Sequence, residues 1–157
     1  MNFLCRSSAL HGRVVIPGSK SHTIRACAIA AMASGESVIE RPMVSADTLA
    51  ATRAVAALGA RVDMRPTHWR IHGTGGTPVA EEATVDVGNS GTTLRVVMGL
   101  ASHLTSGSLV LTGDEQIQRR PAGQLATALT DLGAKVTSQR DNGCAPFAVS
   151  GTLRGGR

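Results

Sequence analysis

The sequence predicts an α/β (α+β) protein assembled from repeated β-α-β-α-β-β units, and three observations predict it. The first is an internal repeat. Ala57-Leu58-Gly59-Ala60-Arg61-Val62 returns as Asp131-Leu132-Gly133-Ala134-Lys135-Val136, and Ile71-His72-Gly73-Thr74 returns as Val149-Ser150-Gly151-Thr152. Ser34–Ile39 returns as Ser106–Leu111 and Ile24-Arg25 as Leu94-Arg95, so four matches keep one order at separations of 70 to 78 positions. The second is the alternation of short β-branched runs with helical runs inside each copy. The third is composition: 42% apolar residues with one Trp, two Phe and no Tyr. That is enough apolar surface for a packed core, which small aliphatic side chains must build.

The elements follow in order. Residues 1–12 form an N-terminal segment, 13–76 the first unit, 83–153 the second, and 154–157 a truncated end. In each copy a strand (Arg13–Ile16; Ala83–Val87) enters a Gly/Ser loop. A nearly all-apolar helix follows (about 23–33; about 92–104), and its lack of a polar face predicts burial all round. Next come a β-branched strand (Ser37–Glu40; Leu109–Thr112) and an amphipathic helix (about 47–58; about 122–132) ended by Leu-Gly-Ala, with Gly as the stop. Two strands close each unit (Arg61–Arg65 and Trp69–His72; Lys135–Ser138 and Phe147–Ser150).

Sixteen Lys+Arg against eleven Asp+Glu give a net charge of +5, which favours an anionic partner. Nucleic acid is disfavoured: the bases of a single strand stack on aromatic platforms that this chain lacks, and its cations are dispersed beside Gly, Ser and Thr. Small phosphates or carboxylates fit that pattern better. Cys5, Cys27 and Cys144 show neither paired nor metal-ligand spacing and read as free thiols of a reducing compartment. The apolar runs fall short of the roughly 20 residues that span a bilayer, and no signal peptide is evident. A cytoplasmic protein without membrane or metal is expected.

Three segments carry candidate chemistry. Pro17-Gly18-Ser19-Lys20-Ser21-His22-Thr23 opens the first helix, where free N–H groups, hydroxyls, Lys20 and the fork of Arg25 can hold a phosphate or carboxylate. It lacks P-loop spacing. Gly88-Asn89-Ser90-Gly91-Thr92-Thr93 is its counterpart, in which Gly91 allows a ligand close to the backbone and Asn89 both donates and accepts. Gly113-Asp114-Glu115-Gln116-Ile117-Gln118-Arg119-Arg120-Pro121 enters a helix whose first residue is expected to be Pro121, with one Arg solvated and the other free to clamp an anion. Arg25 and Arg95, planted in apolar helices, require an anion, solvent or an internal carboxylate such as Asp47, Asp86 or Asp114. Asp114 and Glu115 read as a surface or capping pair.

These three segments, in this order and spacing and across nearly the whole chain, resemble the 5-enolpyruvylshikimate-3-phosphate (EPSP) synthases. The resemblance implies two globular domains of three β-α-β-α-β-β units each, the enolpyruvyl transferase fold, of which two of six units stand here. Members run to roughly 430 residues, so a third unit and a second domain are absent. It also implies the reaction: the 5-hydroxyl of shikimate 3-phosphate attacks phosphoenolpyruvate, and phosphate leaves through a tetrahedral intermediate, with no cofactor. By motif, Lys20 resembles the catalytic residue touching both substrates, and Ser21 and Arg25 resemble shikimate 3-phosphate ligands. Asn89, Gly91 and Arg120 resemble the phosphoenolpyruvate side, with Thr92 flanking and Arg95 a support. Gly91 resembles the position whose missing side chain admits glyphosate. His22-Thr23-Ile24 and Val96 depart from the usual pattern. The expected partners are phosphoenolpyruvate, shikimate 3-phosphate and a C-terminal complementary polypeptide or self-association. Two alternatives stand beside this reading. One is the UDP-N-acetylglucosamine enolpyruvyl transferase, disfavoured because no Cys lies in Gly113–Pro121. The other is a non-catalytic module of the same fold that binds anions or nucleic acid.

Overall fold

A computed structural model describes residues 2–9, 11–80 and 83–155. Its first helix, α1 (Lys20–Met32), starts where the Ser19 side chain accepts the His22 N–H. Strand β1 (Glu36–Glu40) leads to α2 (Ala46–Ala57), whose start is fixed by a capping box between Ser45 and Thr48. Strands β2 (Arg61–Met64) and β3 (His68–His72) return as a hairpin. The second half runs β4 (Ala83–Asp86), α3 (Gly91–Ala101), β5 (His103–Thr112), a 3₁₀ turn (Ile117–Arg119), α4 (Gly123–Asp131), β6 (Lys135–Ser138) and β7 (Phe147–Thr152). The sheets are β1-β3-β2 and β4-β5-β7-β6, and β4 pairs parallel to β5 while every other ladder is antiparallel.

Helices α1, α2 and α3 pack on one another. Ala and Cys side chains on α1 and α2 (Cys27, Ala30, Ala31, Ala50, Ala51, Ala54) are buried and short, which lets the helix backbones come close. The end of β3 presses on α1: a Cβ at Gly73 would overlap the Ala30 and Ala33 carbonyl oxygens, and the Thr74 N–H donates to Ala31 O at 2.8 Å. Trp69 fills the space under the first sheet and Phe147 under the second, both buried. Leu58 and Leu132 end α2 and α4, each followed by a glycine at positive φ (Gly59 94°, Gly133 106°) that only a residue without Cβ adopts freely.

Several expectations are corrected. Arg13–Ile16 is not a strand: among the described residues no ladder partner lies beside it, and Val14, Val15 and Ile16 are 82%, 87% and 76% exposed. Helix α1 is not buried all round, because His22, Arg25 and Ile29 are exposed along it, Ile29 by 72%. Helix α3 stops at Ala101 rather than near 104, and β5 takes over at His103, six residues ahead of the expected Leu109, to pair with Thr152 across an irregularity before Ser108. Pro121 is not the first residue of its helix; Ala122 caps and Gly123 begins α4. All three cysteines are free, and burial lifts the Cys27 thiol pKa from 9.0 to about 11. Among the described residues, no helix is long and apolar enough to cross a membrane.

Candidate functional site

Serine caps start α1, α2 and α3, and all three helix N-termini meet at one end of the molecule. Lys20, the first residue of α1, donates from Nζ to Asp47 Oδ2 in the first turn of α2 at 2.7 Å. Thr93, in the first turn of α3, donates from Oγ1 to the Asp47 carbonyl oxygen at 3.3 Å. Asp47 therefore joins the first Gly/Ser loop to the second. The helix dipoles add partial positive charge at this end. No acidic residue occupies the first turn of α1 or α3 to cancel it.

The chain around the first loop is held tightly. A Cβ at Gly18 would lie 2.6 Å from Arg41 O and 2.9 Å from Met43 N, so only glycine passes there. The Thr23 hydroxyl accepts the Met43 N–H at 3.0 Å, tying α1 to the segment that leads into α2. Ser21 is half-buried, and its carbonyl accepts Arg25 Nη1 at 3.0 Å; Arg25 itself is exposed. Of the partners expected for the helix arginines, the internal carboxylate is not met by either one among the described residues. Asp47 serves Lys20 instead, and Arg25 and Arg95 bond to backbone carbonyls.

The second loop and the arginine turn close on each other. Arg95 donates from Nη1 to Gly91 O at 3.1 Å and from Nη2 to Pro121 O at 3.0 Å, which ties the start of α3 to the turn before α4. A Cβ placed on Gly91 would stand 3.0 Å from Arg95 Nη1 and 3.5 Å from Arg120 Nη1. Two guanidinium groups thus flank Gly91, which has no side chain of its own. Arg120 Nη2 reaches Gln116 Oε1 at 3.4 Å, and among the described residues neither Arg95 nor Arg120 meets a carboxylate. Arg119 points elsewhere and pairs with exposed Glu115 at 3.1 Å. Asn89 is exposed and Thr92 half-buried beside Gly91. Asp114 Oδ1 accepts the Ile117 N–H at 2.9 Å, a capping role.

Of the residues singled out by sequence, Lys20, Gly91, Thr92 and Arg120 are linked through Asp47, Thr93 and Arg95. Arg25 lies on the second turn of the Lys20 helix. Sequence reasoning missed two connections: Asp47 as the partner of Lys20, and Arg95 as a bridge between two loops. The acid in the first turn behind a capping serine was the available signal for Asp47; nothing local signals the Arg95 bridge, which spans 26 positions. Cationic hydrogen-bond donors without carboxylate partners, beside free helix N-termini, suit phosphate or carboxylate oxygens. Among the described residues, no three His, Cys, Asp or Glu side chains come together as metal ligands do.

Comparison with known proteins gives one family. Residues 5–157 match the family model described as EPSP synthase (3-phosphoshikimate 1-carboxyvinyltransferase). The chain is 47% identical over 152 residues to a 3-phosphoshikimate 1-carboxyvinyltransferase of Acetivibrio thermocellus, covering 97% of this chain and 36% of that protein. It is 45% identical over 148 residues to the enzyme of that name in Methanococcoides burtonii, covering 94% and 34%. The solved EPSP synthase of Acinetobacter baumannii superposes with a TM-score of 0.83 at 27% identity, over 92% of this chain and 33% of that one. The enolpyruvyl transferase NikO of Streptomyces tendae, at 14% identity and a TM-score of 0.58, shares the fold. The chain spans about a third of the length of the curated relatives it matches.

Proposed function

The chain belongs to the EPSP synthase family, and on that footing we propose that it supplies the anion-gripping part of a 3-phosphoshikimate 1-carboxyvinyltransferase. Its substrates are shikimate 3-phosphate and phosphoenolpyruvate. The observation that carries the proposal is the gathering of Lys20, Gly91, Arg95 and Arg120 at the N-termini of three helices, linked by Asp47 and Thr93. Both substrates are multiply charged anions, and bringing the 5-hydroxyl of one to the enol carbon of the other requires cations that offset their repulsion. Lys20, at the junction of the two loops, touches both. Ser21 and Arg25 hold shikimate 3-phosphate. Asn89, Gly91, Thr92 and Arg120 hold phosphoenolpyruvate, with Arg95 fixing the turn that carries Arg120.

Residues 13–76 and 83–153 serve as two of the family's units. A third unit and a second domain, in the part of the matched relatives that residues 1–157 do not cover, supply the groups that move protons, so residues 1–157 by themselves are inactive and need that part as a complement. The exposed Ile29 is apolar surface of the kind such a complement covers. The protein works in the cytoplasm and takes neither nucleic acid nor a membrane as partner; its cations are dispersed along the chain rather than gathered in a run.

The test is turnover. This chain mixed with the C-terminal two-thirds of the Acetivibrio thermocellus relative should release phosphate from phosphoenolpyruvate only when shikimate 3-phosphate is present, and each half alone should not. Turnover by this chain alone refutes the need for a complement. No turnover in the mixture, together with no binding of either substrate, refutes the function.

A further inference from the structure

We propose that Thr93 is a positioning residue: its hydroxyl sets the shikimate 3-phosphate seat against the phosphoenolpyruvate seat, an inference that rests on the functional reading above. The two seats stand on different repeat units. Lys20, Ser21 and Arg25 belong to residues 13–76, and Asn89, Gly91, Thr92 and Arg120 to residues 83–153. Among the described residues no strand ladder crosses between the units, because β1-β3-β2 and β4-β5-β7-β6 are separate sheets. Their shared surface is apolar packing, in which Ala54 and Leu58 of α2 join the core built on Leu94, Val97 and Met98 of α3. Such packing is non-directional, so it holds α2 against α3 without fixing their offset along the axis. Among the described residues, one hydrogen bond joins residues 13–76 to residues 83–153, from Thr93 Oγ1 to the Asp47 carbonyl oxygen at 3.3 Å.

That bond is locked in one direction. Thr93 and Ser90 are buried, so each hydroxyl must find its partners inside the protein. A carbonyl oxygen only accepts, so Thr93 Oγ1 directs its one proton to Asp47 O. It then accepts from Ser90 Oγ, 2.7 Å away, and Ser90 Oγ in turn accepts the Thr93 N–H at 3.3 Å. The donors run from Ser90 to Thr93 to Asp47. At one end Ser90 precedes Gly91, where the phosphoenolpyruvate seat begins. At the other the Asp47 carboxylate holds Lys20 Nζ at 2.7 Å. The start of α2 is itself tied to α1: Thr48 Oγ1 donates to Met43 O at 2.7 Å, and the Met43 N–H donates to Thr23 Oγ1 at 3.0 Å. A slip of α2 along α3 therefore carries Lys20 with it. Without the Thr93 hydroxyl each seat keeps its own residues and loses only its place relative to the other. The attacking oxygen and the enol carbon must approach to about 3–3.5 Å, and a misplacement of about 1 Å costs up to about 100-fold in rate.

Steady-state kinetics of the full chain mixed with the C-terminal two-thirds of the Acetivibrio thermocellus relative test this, with kcat expressed per folded chain from urea titration. Thr93→Val keeps the shape and removes the hydroxyl. It should lower kcat about 10- to 100-fold while KM for each substrate stays within about threefold. Thr93→Ser restores the donor and should keep kcat within about threefold of the parent. Thr52→Val is the control. It deletes another buried hydroxyl of α2, one that donates to Leu49 O in its own helix, and should leave kcat within about twofold. Unchanged kcat in Thr93→Val overturns the positioning role and leaves the enzymatic reading standing. So does a rise of KM at unchanged kcat, which reports a substrate contact. A loss that Thr93→Ser does not restore, or that Thr52→Val shares, overturns it too, since shape or general loosening then explains it. If neither Thr93→Val nor Thr93→Ala folds, the hydroxyl serves the fold and the role falls. A parent mixture without turnover removes the role, and one that binds neither substrate removes the functional reading as well.

Discussion

Replacing Gly91 by Ala puts a methyl group between two guanidinium groups. The new carbon stands 3.0 Å from Arg95 Nη1, 3.5 Å from Arg120 Nη1 and 3.8 Å from Ile117 Cδ1. The first distance is too short, so Arg95 Nη1 must retreat by a few tenths of an ångström. Its hydrogen bond to Gly91 O, now 3.1 Å, stretches past the useful range of about 3.2 Å. For an exposed arginine that loss costs about 0.5–1 kcal/mol. Gly91 is the first residue of α3 and does not need a positive φ, so alanine gains up to about 1 kcal/mol of helix propensity. The two effects nearly cancel, and the urea midpoint should shift by the equivalent of less than about 1 kcal/mol. Binding should not cancel. With the methyl in the anion seat and the Arg95 bridge loosened, phosphoenolpyruvate affinity measured by titration calorimetry on the complemented enzyme should fall about 10- to 100-fold, or about 1.4–2.8 kcal/mol. Shikimate 3-phosphate affinity should stay within about threefold, since Lys20, Ser21 and Arg25 are untouched. Unchanged phosphoenolpyruvate affinity, or a stability loss above about 2 kcal/mol, refutes the placement of Arg95 and Arg120 around an empty seat.

Asp47→Asn removes the half-exposed pair with Lys20 and the acidic group at the start of α2, so stability should fall by about 0.5–2 kcal/mol at low salt and by less at 1 M salt; a loss unaffected by salt contradicts the electrostatic account. Arg25→Ala breaks only a bond to its own helix and should leave the melting temperature within about 2 °C, while shikimate 3-phosphate binding weakens about 10-fold or more. The buried Cys27 thiol, raised to about 11 in the folded chain, binds more protons than in the unfolded chain between about pH 9 and 11. Stability from this group is thus full below pH 9 and is lost as pH rises towards 11. Urea titrations should show a drop of about 2–3 kcal/mol across that window, and Cys27→Ala should flatten it; an equal drop in the variant places its cause elsewhere.

The three motifs were visible because each is local. Serine caps, glycine turns and a lysine or arginine at fixed offsets announce a helix start and an anion seat within a few residues. The apolar run of α1 was equally visible, but its exposure was not. Whether Ile29 is buried depends on which neighbour covers that face, and a run of Ala, Ile and Cys looks the same with or without one. Residues Arg13–Ile16 have every local mark of a strand, yet a strand exists only when another backbone accepts its hydrogen bonds. The partner of Lys20 lies 27 positions away and the reach of Arg95 to Pro121 covers 26; loop spacing does not encode such pairs.

By itself, the amino-acid order determined the repeat, the succession of elements, the stops at Gly59 and Gly133 and the cations at the helix starts, because these follow from periodicity and backbone geometry within a dozen residues. Only the tertiary structure decided which charges neutralise each other, and which arginines beside Gly91 bond to backbone or amide oxygens rather than to a carboxylate. Those outcomes are set by distances between segments remote in the chain, where a displacement of one or two ångströms makes or breaks a hydrogen bond.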